Sequence, residues 1–193
     1  MSGFSTARQK MVAGQVRPSD VTDIRIIDAM LAVPREAFVP ENKRALAYLD
    51  LDLEVGGGGA AKRCLIQPAV LAKMLQAAEI KSTDHVLVVG CASGYAAAVI
   101  AKFAGKVMSA AAAGDPANAP FDVIVLNGAT EIVPETLYGQ LRDGGRLVGV
   151  FATSQPARAT IVTRSHGDFG NRALFDAAAP VLPGMERLPA FVF

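Results

Sequence analysis

Six consecutive residues, Gly90-Cys-Ala-Ser-Gly-Tyr95, have the composition of a turn that lets backbone approach a nucleotide-like ligand closely. Small side chains at Gly90, Cys91, Ala92, Ser93 and Gly94 leave main-chain amides uncovered, and a helix opening at Tyr95 would aim its first N–H groups at the same place. The stretch keeps the first and last glycines of Gly-x-Gly-x-Gly, with Ala92 in the middle. Such a short pattern also fits a plain strand-to-helix turn whose glycines serve packing only. Its context favours the site. Val86–Val89 reads as a buried parallel strand, and an alanine-rich helix with no breaker before Gly105 follows.

Hydride transfer is disfavoured. A dinucleotide fingerprint needs Gly-x-Gly-x-x-Gly and an acid about 20 residues later for the ribose. Gly90, Ala92 and Tyr95 fill the three glycine places here, and Ala110 to Ala113 bring no acid before Asp115. The only histidines, His85 and His166, stand far apart in sequence and no Cys–His cluster exists, so no metal site is expected. Lys and Arg number 19 against 18 Asp and Glu, dispersed along the chain, which gives no field for nucleic acid or anionic lipid. Two cysteines, Cys64 and Cys91, suggest no disulfide framework. With no apolar core after Arg8 and Lys10 and no membrane-length apolar run, the expected location is the cytoplasm.

The elements that must position the turn are legible as periodicity. A length of 193 residues suits one globular unit, with a helical lead over 1–60 packing on a core over 61–193. Thr22 or Asp23 caps a helix through Ile24, Ile27 and Leu31 that ends before Pro34, and 41–48 reads as a second short helix. Gly56 to Gly59 reads as a hinge, and 67–79 as an amphipathic helix with Pro68 in its first turn. Beyond the glycine turn, 121–126 reads as a buried strand and 134–141 as a helix. Asp143-Gly-Gly145 turns into strand 146–151, and 158–164 and 188–193 complete the sheet, with the C-terminus buried. Asp122, Arg35 and Glu36 read as structural or solvated charges, and Cys91 as a small filler. Tyr48 and Asp50 suit either a substrate contact or packing against the core.

Several segments together carry a resemblance. Val33-Pro-Arg-Glu-Ala-Phe-Val-Pro40, Ala45-Leu-Ala-Tyr-Leu-Asp50, Ile66-Gln-Pro68, Val86 to Tyr95, Ala119-Pro-Phe-Asp-Val-Ile124 and Gln140-Leu-Arg-Asp-Gly-Gly-Arg-Leu-Val148 occur in that order over most of the chain. In this the chain resembles the protein-L-isoaspartate O-methyltransferase family. The resemblance implies an α/β, doubly wound, mostly parallel seven-stranded Rossmann-like sheet with an N-terminal helical extension. It implies S-adenosylmethionine as cofactor, with Gly90, Cys91, Ala92, Ser93, Gly94 and Tyr95 around its methionine moiety and Asn127 and Gly128 near the sulfonium. It implies methyl transfer to the α-carboxylate of L-isoaspartyl residues in damaged proteins, a repair activity, with the acceptor held over Ile66, Gln67 and the helical lead.

Three departures from the family pattern accompany it. Ile66 stands where the family has a serine implicated in catalysis, and an isoleucine donates no hydrogen bond, so this position is expected to be inert. Val88 replaces the acid that usually ends the first strand, and Ala92 the middle glycine. Between Gly105 and Phe121 only 15 residues stand in place of a strand, a helix and a further strand. Joining the helix that ends near 104 straight to a strand at Phe121 would break the right-handed crossover rule. That favours an omitted segment near 106–112 over a sheet that has lost an edge. The competing readings are a catalytically degenerate cofactor-binding or scaffold relative and a methyltransferase with another acceptor; oligomeric state is left open.

Overall fold

The computed structural model describes residues 3–56, 63–90 and 93–188. The helical lead opens with α1 (Gly3–Met11), which passes through a π turn and a 3-10 turn into α2 (Ile24–Ala32). Asp23 caps α2, its carboxylate accepting the Arg25 N–H at 2.9 Å. The stretch expected to be a second helix forms 3-10 turns over Glu41–Leu46. β1 (Leu53–Gly56) and β2 (Arg63–Leu65) form an antiparallel hairpin outside the main sheet. α3 (Pro68–Ala77) follows with proline at its first position. The remainder of the expected 56–59 hinge lies outside the described residues.

The core alternates as its apolar runs require. β3 (His85–Val89) leads through the glycine turn to α4 (Tyr95–Ile100), then β4 (Lys106–Ala110) and β5 (Phe121–Thr130). α5 (Glu135–Tyr138), β6 (Leu141–Phe151), β7 (Arg158–Ser165) and β8 (Asp168–Asp176) complete it. The sheet order is β4-β3-β5-β6-β7-β8, parallel from β4 to β6 and antiparallel over β7 and β8. It is the doubly wound, mostly parallel sheet the resemblance implies, with six strands among the described residues in place of seven. The strand expected at 188–193 lies outside the described residues except Leu188, which is exposed.

Period-two alternation assigns the two faces. Val86, Val88, Val123, Val125, Val148 and Val150 point toward α2, α3 and α4, in one core with the helical lead. Leu87, Val89, Ile124, Leu126 and Leu147 point the other way, onto Leu137 of α5 and onto Leu182 and Met185. Val123–Leu126 of β5 run apolar without a break because the strand is buried on both faces there.

β4 lies in the stretch for which sequence reasoning found no strand. It pairs with β3 residue for residue from His85↔Lys106 to Val89↔Ala110. The handedness conflict rested on joining α4 directly to β5. With β4 between them, the chain crosses one face through α4 and returns over the other through residues 111–120, so both crossovers share one hand. Ten residues make a short return. Gln140 fastens it: its Oε1 accepts the Asp115 N–H at 2.7 Å, and its Nε2 donates to Ala113 O at 2.8 Å and Thr136 O at 3.1 Å. Gly114, at φ 75°, packs directly on that amide. Gln140→Leu keeps the volume and leaves those three groups unpaired, so a loss of about 2–3 kcal/mol is expected in urea unfolding. A midpoint equal to the parent's would contradict this role.

Candidate functional site

The glycine turn sits where β3 ends, beside the carboxyl ends of β4 and β5. Gly90 and Gly94 both take left-handed backbone, at φ 75° and 89°. The Gly90 N–H donates to Ala110 O at 3.0 Å, and the Gly90 carbonyl accepts from Asn127 Nδ2 at 3.2 Å. Asn127 is buried in β5 just past its last pairing with β3, so its amide bridges from β5 to the turn that follows β3. Gly128 follows beneath the C-terminal segment, where a Cβ would lie 2.6 Å from Leu182 Cδ2 and 2.8 Å from Pro180 O. A Cβ on Gly90 would also fall inside contact distance of Leu182. Leu182 is fixed there because the Ala129 N–H donates to Pro180 O and the Leu182 N–H to Ala129 O, each at 2.8 Å. Cys91 and Ala92 lie outside the described residues.

Ser93 and Tyr95 carry the orphan groups of the turn. Ser93 Oγ is buried with no hydrogen-bond partner among the described residues, and so is Tyr95 Oη. The Tyr95 ring is wholly buried, edge-on to Phe38 at 5.6 Å, and burial pushes its phenol pKa up. Arg35 lies over the same ring at 4.8 Å.

Arg35 is the site's main surprise, because the sequence reads it as half of a solvated pair. It is 1% exposed, its Nε donates to Ala47 O at 2.8 Å and its Nη2 to Ile66 O at 2.9 Å. Burial presses the pKa of its guanidinium down. One side chain thus joins the helical lead, the segment after β2, and the residue that opens α4. Asp52 adds a second tie, accepting the Gln67 N–H at 3.0 Å, and burial raises its carboxyl pKa. Ile66 and Gln67 are therefore held at the entry to α3, with the Ile66 side chain buried. Arg35, Asp52 and Leu182 carry no residue pattern in the sequence that marks these roles. Only the position of Arg35 directly after Pro34, in a run bounded by Val33 and Phe38, hinted at a packed turn.

Other charges settle into structural roles. Asp122 accepts the His85 N–H at 2.8 Å and pairs with Arg142 at 2.7 Å, as expected of a structural acid. Glu36 is not solvated. It accepts from Tyr48 Oη and pairs with Arg8 at 3.2 Å, while Arg8 Nε donates to Tyr48 Oη at 2.9 Å. Tyr48 thus packs within the helical lead. Burial, with Glu36 beside it, pushes its pKa up to about 12. The folded state then holds the phenol proton more tightly than the unfolded chain, for which about 10 is ordinary. Tyr48's contribution to stability is therefore full below pH 10 and lost as pH rises toward 12. The stability difference between parent and Tyr48→Phe is expected to shrink across that window in urea unfolding. A constant difference would contradict the assignment.

A bound S-adenosylmethionine would meet residues that suit one half of it. The left-handed glycines and the Ser93 hydroxyl, which has no partner among the described residues, suit its methionine end. β4 brings no carboxylate to the nucleoside end.

Strand order and glycine turn define a Rossmann-like methyltransferase. One solved protein-L-isoaspartate O-methyltransferase superimposes with a TM-score of 0.78 at 22% identity, over 92% of this chain and 66% of its own. A Plasmodium falciparum counterpart, solved with S-adenosyl-L-homocysteine, gives 0.72 at 15% identity over 94% of this chain and 99% of its own. The chain belongs to the protein-L-isoaspartate (D-aspartate) O-methyltransferase family, whose model matches residues 6–114 and 106–170. Protein-L-isoaspartate O-methyltransferase of Rhodopseudomonas palustris strain CGA009 is 37% identical over 206 residues, covering 91% of this chain and 93% of its own. Protein-L-isoaspartate O-methyltransferase 1 of strain HaA2 is 36% identical, covering 86% and 78%. The first of these alignments is longer than the 193-residue chain itself, so that relative carries internal residues this chain lacks. The two family matches overlap at 106–114, which takes in β4 and the start of the short return to β5.

Proposed function

We propose that this chain transfers a methyl group from S-adenosylmethionine to the α-carboxylate of L-isoaspartyl residues in damaged proteins. The observation that carries the reading is Arg35, which packs the cofactor turn and the acceptor segment against one guanidinium. The cofactor supplies a methyl already activated on a cationic sulfur. Transfer to a carboxylate oxygen held in line with that methyl would break the sulfur–methyl bond as the oxygen–methyl bond formed, leaving a methyl ester and the neutral thioether. An acceptor carboxylate is ionised at neutral pH, so no strong base is required of the protein. What the residues contribute is alignment and exclusion of water.

The proposed division of labour follows the two parts of the chain. Gly90, Ser93, Gly94 and Tyr95 would line the methionine end, with Asn127 and Gly128 on the far side. The described part of the helical lead, residues 3–56, and the Ile66–Gln67 segment would face the acceptor. No helix among the described residues is long and apolar enough to cross a membrane, which suits a cytoplasmic repair role.

A specific observation supports a second reading, a relative that keeps the fold without turnover. Ile66 is buried and offers no hydroxyl, and Thr130, an alternative source, is occupied with Ile132 O at 2.7 Å. The Ser93 hydroxyl has no hydrogen-bond partner among the described residues. Methylation of an L-isoaspartyl peptide against its aspartyl isomer, by protein of verified 20.1 kDa mass, separates the two readings. Slow isoaspartyl-selective turnover is expected. Ile66→Ser should raise kcat/KM by about tenfold, the worth of one well-placed hydrogen bond. Silence in both proteins, each folded, would establish the second reading.

A further inference from the structure

We propose that this chain takes its nucleoside cofactor without reading the ribose hydroxyls, so that an analogue lacking both binds as tightly as the natural nucleoside. The inference rests on the cofactor reading above. In a doubly wound sheet the carboxylate that takes the ribose hydroxyls stands about 20 residues after the glycine turn, at the end of the adjoining strand. The backbone of this chain keeps that place. β4 lies beside β3 with Ala110 opposite Val89, and Ala110 O accepts the Gly90 N–H at 3.0 Å. The strand end therefore touches the turn that would hold the cofactor.

The side chains at that place are missing the acid. Ala110, Ala111, Ala112 and Ala113 run from the strand end, and the Ala111 side is exposed. Asp115 is the first carboxylate, and it is turned to other work. Its N–H is held by Gln140, and its two carboxylate oxygens take Asn118 Nδ2 at 3.2 and 3.0 Å. Gln140 also grips Ala113 O, which fixes the segment over the face opposite α4. Glu131, beyond the end of β5, accepts the Arg187 N–H at 2.8 Å. Ser109 is the one polar side chain in the second half of β4, and a neutral hydroxyl bonds a sugar more weakly than a carboxylate does. The alanines at the end of β4 thus leave out the group that would read the sugar.

Calorimetric titration of the full chain with S-adenosylhomocysteine and with its 2′,3′-dideoxyribose analogue tests this directly, with no turnover required. The two dissociation constants are expected to agree within about threefold, as for a site that makes at most one weak hydroxyl contact. Ala111→Asp, an exposed position where a new side chain displaces nothing, is expected to favour the natural ribose by at least about tenfold. A parent protein that prefers the natural ribose by more than about tenfold overturns the inference and leaves the cofactor reading standing. Failure of folded parent to bind either compound overturns the cofactor reading and this inference together.

Discussion

Arg35→Ala is expected to lower the unfolding free energy by about 4 kcal/mol. Ala47 O and Ile66 O lose their donor in a buried setting, at about 1–3 kcal/mol each. The stacking on Tyr95 goes with it, worth about 1–2 kcal/mol when desolvated, and a cavity remains under the ring. Relief from burying a cation offsets part of that sum, since burial alone disfavours the charged form. In a domain of this size each kcal/mol moves the midpoint by about 2–4 °C, so a drop of about 10 °C is expected. Arg35→Met separates the causes because it keeps most of the stem and none of the donors. It should retain packing yet lose most of what the guanidinium hydrogen bonds contribute, and a methionine variant as stable as the parent would show those bonds to be idle.

Gly90→Ala is expected to cost about 3 kcal/mol, from two sources that a second substitution separates. A side chain at φ 75° carries about 1–2 kcal/mol of backbone strain. The new methyl also enters the volume of the Leu182 side chain, whose backbone segment two hydrogen bonds tie to Ala129, so room must come from a change of the Leu182 rotamer. Leu182→Ala alone opens a cavity and costs about 2–3 kcal/mol. In the double variant the added methyl fills part of that cavity. The combined loss is expected to fall short of additivity by about 1 kcal/mol or more in urea unfolding. Additive losses would mean that Leu182 does not press on the turn.

These variants bear on residues that the sequence made legible to very different degrees. Val86–Val89, Pro68–Ala77 and Ile24–Ala32 announce themselves through apolar period, proline at a first turn and an aspartate cap, and the structure places them accordingly. Gly90 and Gly94 are readable as turn residues because only glycine enters left-handed backbone without penalty. β4 and β8 are not readable in that way. Edge strands have one side unpaired and little to bury, so Lys106–Ala110 and Asp168–Asp176 lack a clear alternation. α4 stops four residues earlier than its alanines suggest, because helix propensity does not decide where a chain must turn toward its next strand. Arg35 is the instructive miss. Residue type says surface, and only three-dimensional convergence of two carbonyls and an aromatic face makes a buried guanidinium tolerable. Leu182 is likewise invisible locally, since its partners lie 92 and 54 positions back, at Gly90 and Gly128.

The placement of β4 at the rim of the sheet has a consequence for how copies of this protein meet. A rim strand shows a row of unpaired amides and carbonyls, ready to accept a foreign strand. Val107-Met-Ser-Ala-Ala-Ala112 combines low charge with no proline, the composition that invites stacking between chains. Two features blunt it: the strand is only five residues long, and Lys106 places an exposed ammonium at its start. Removing that one charge would therefore act on shelf life in concentrated solution, with no change in any contact inside the folded monomer.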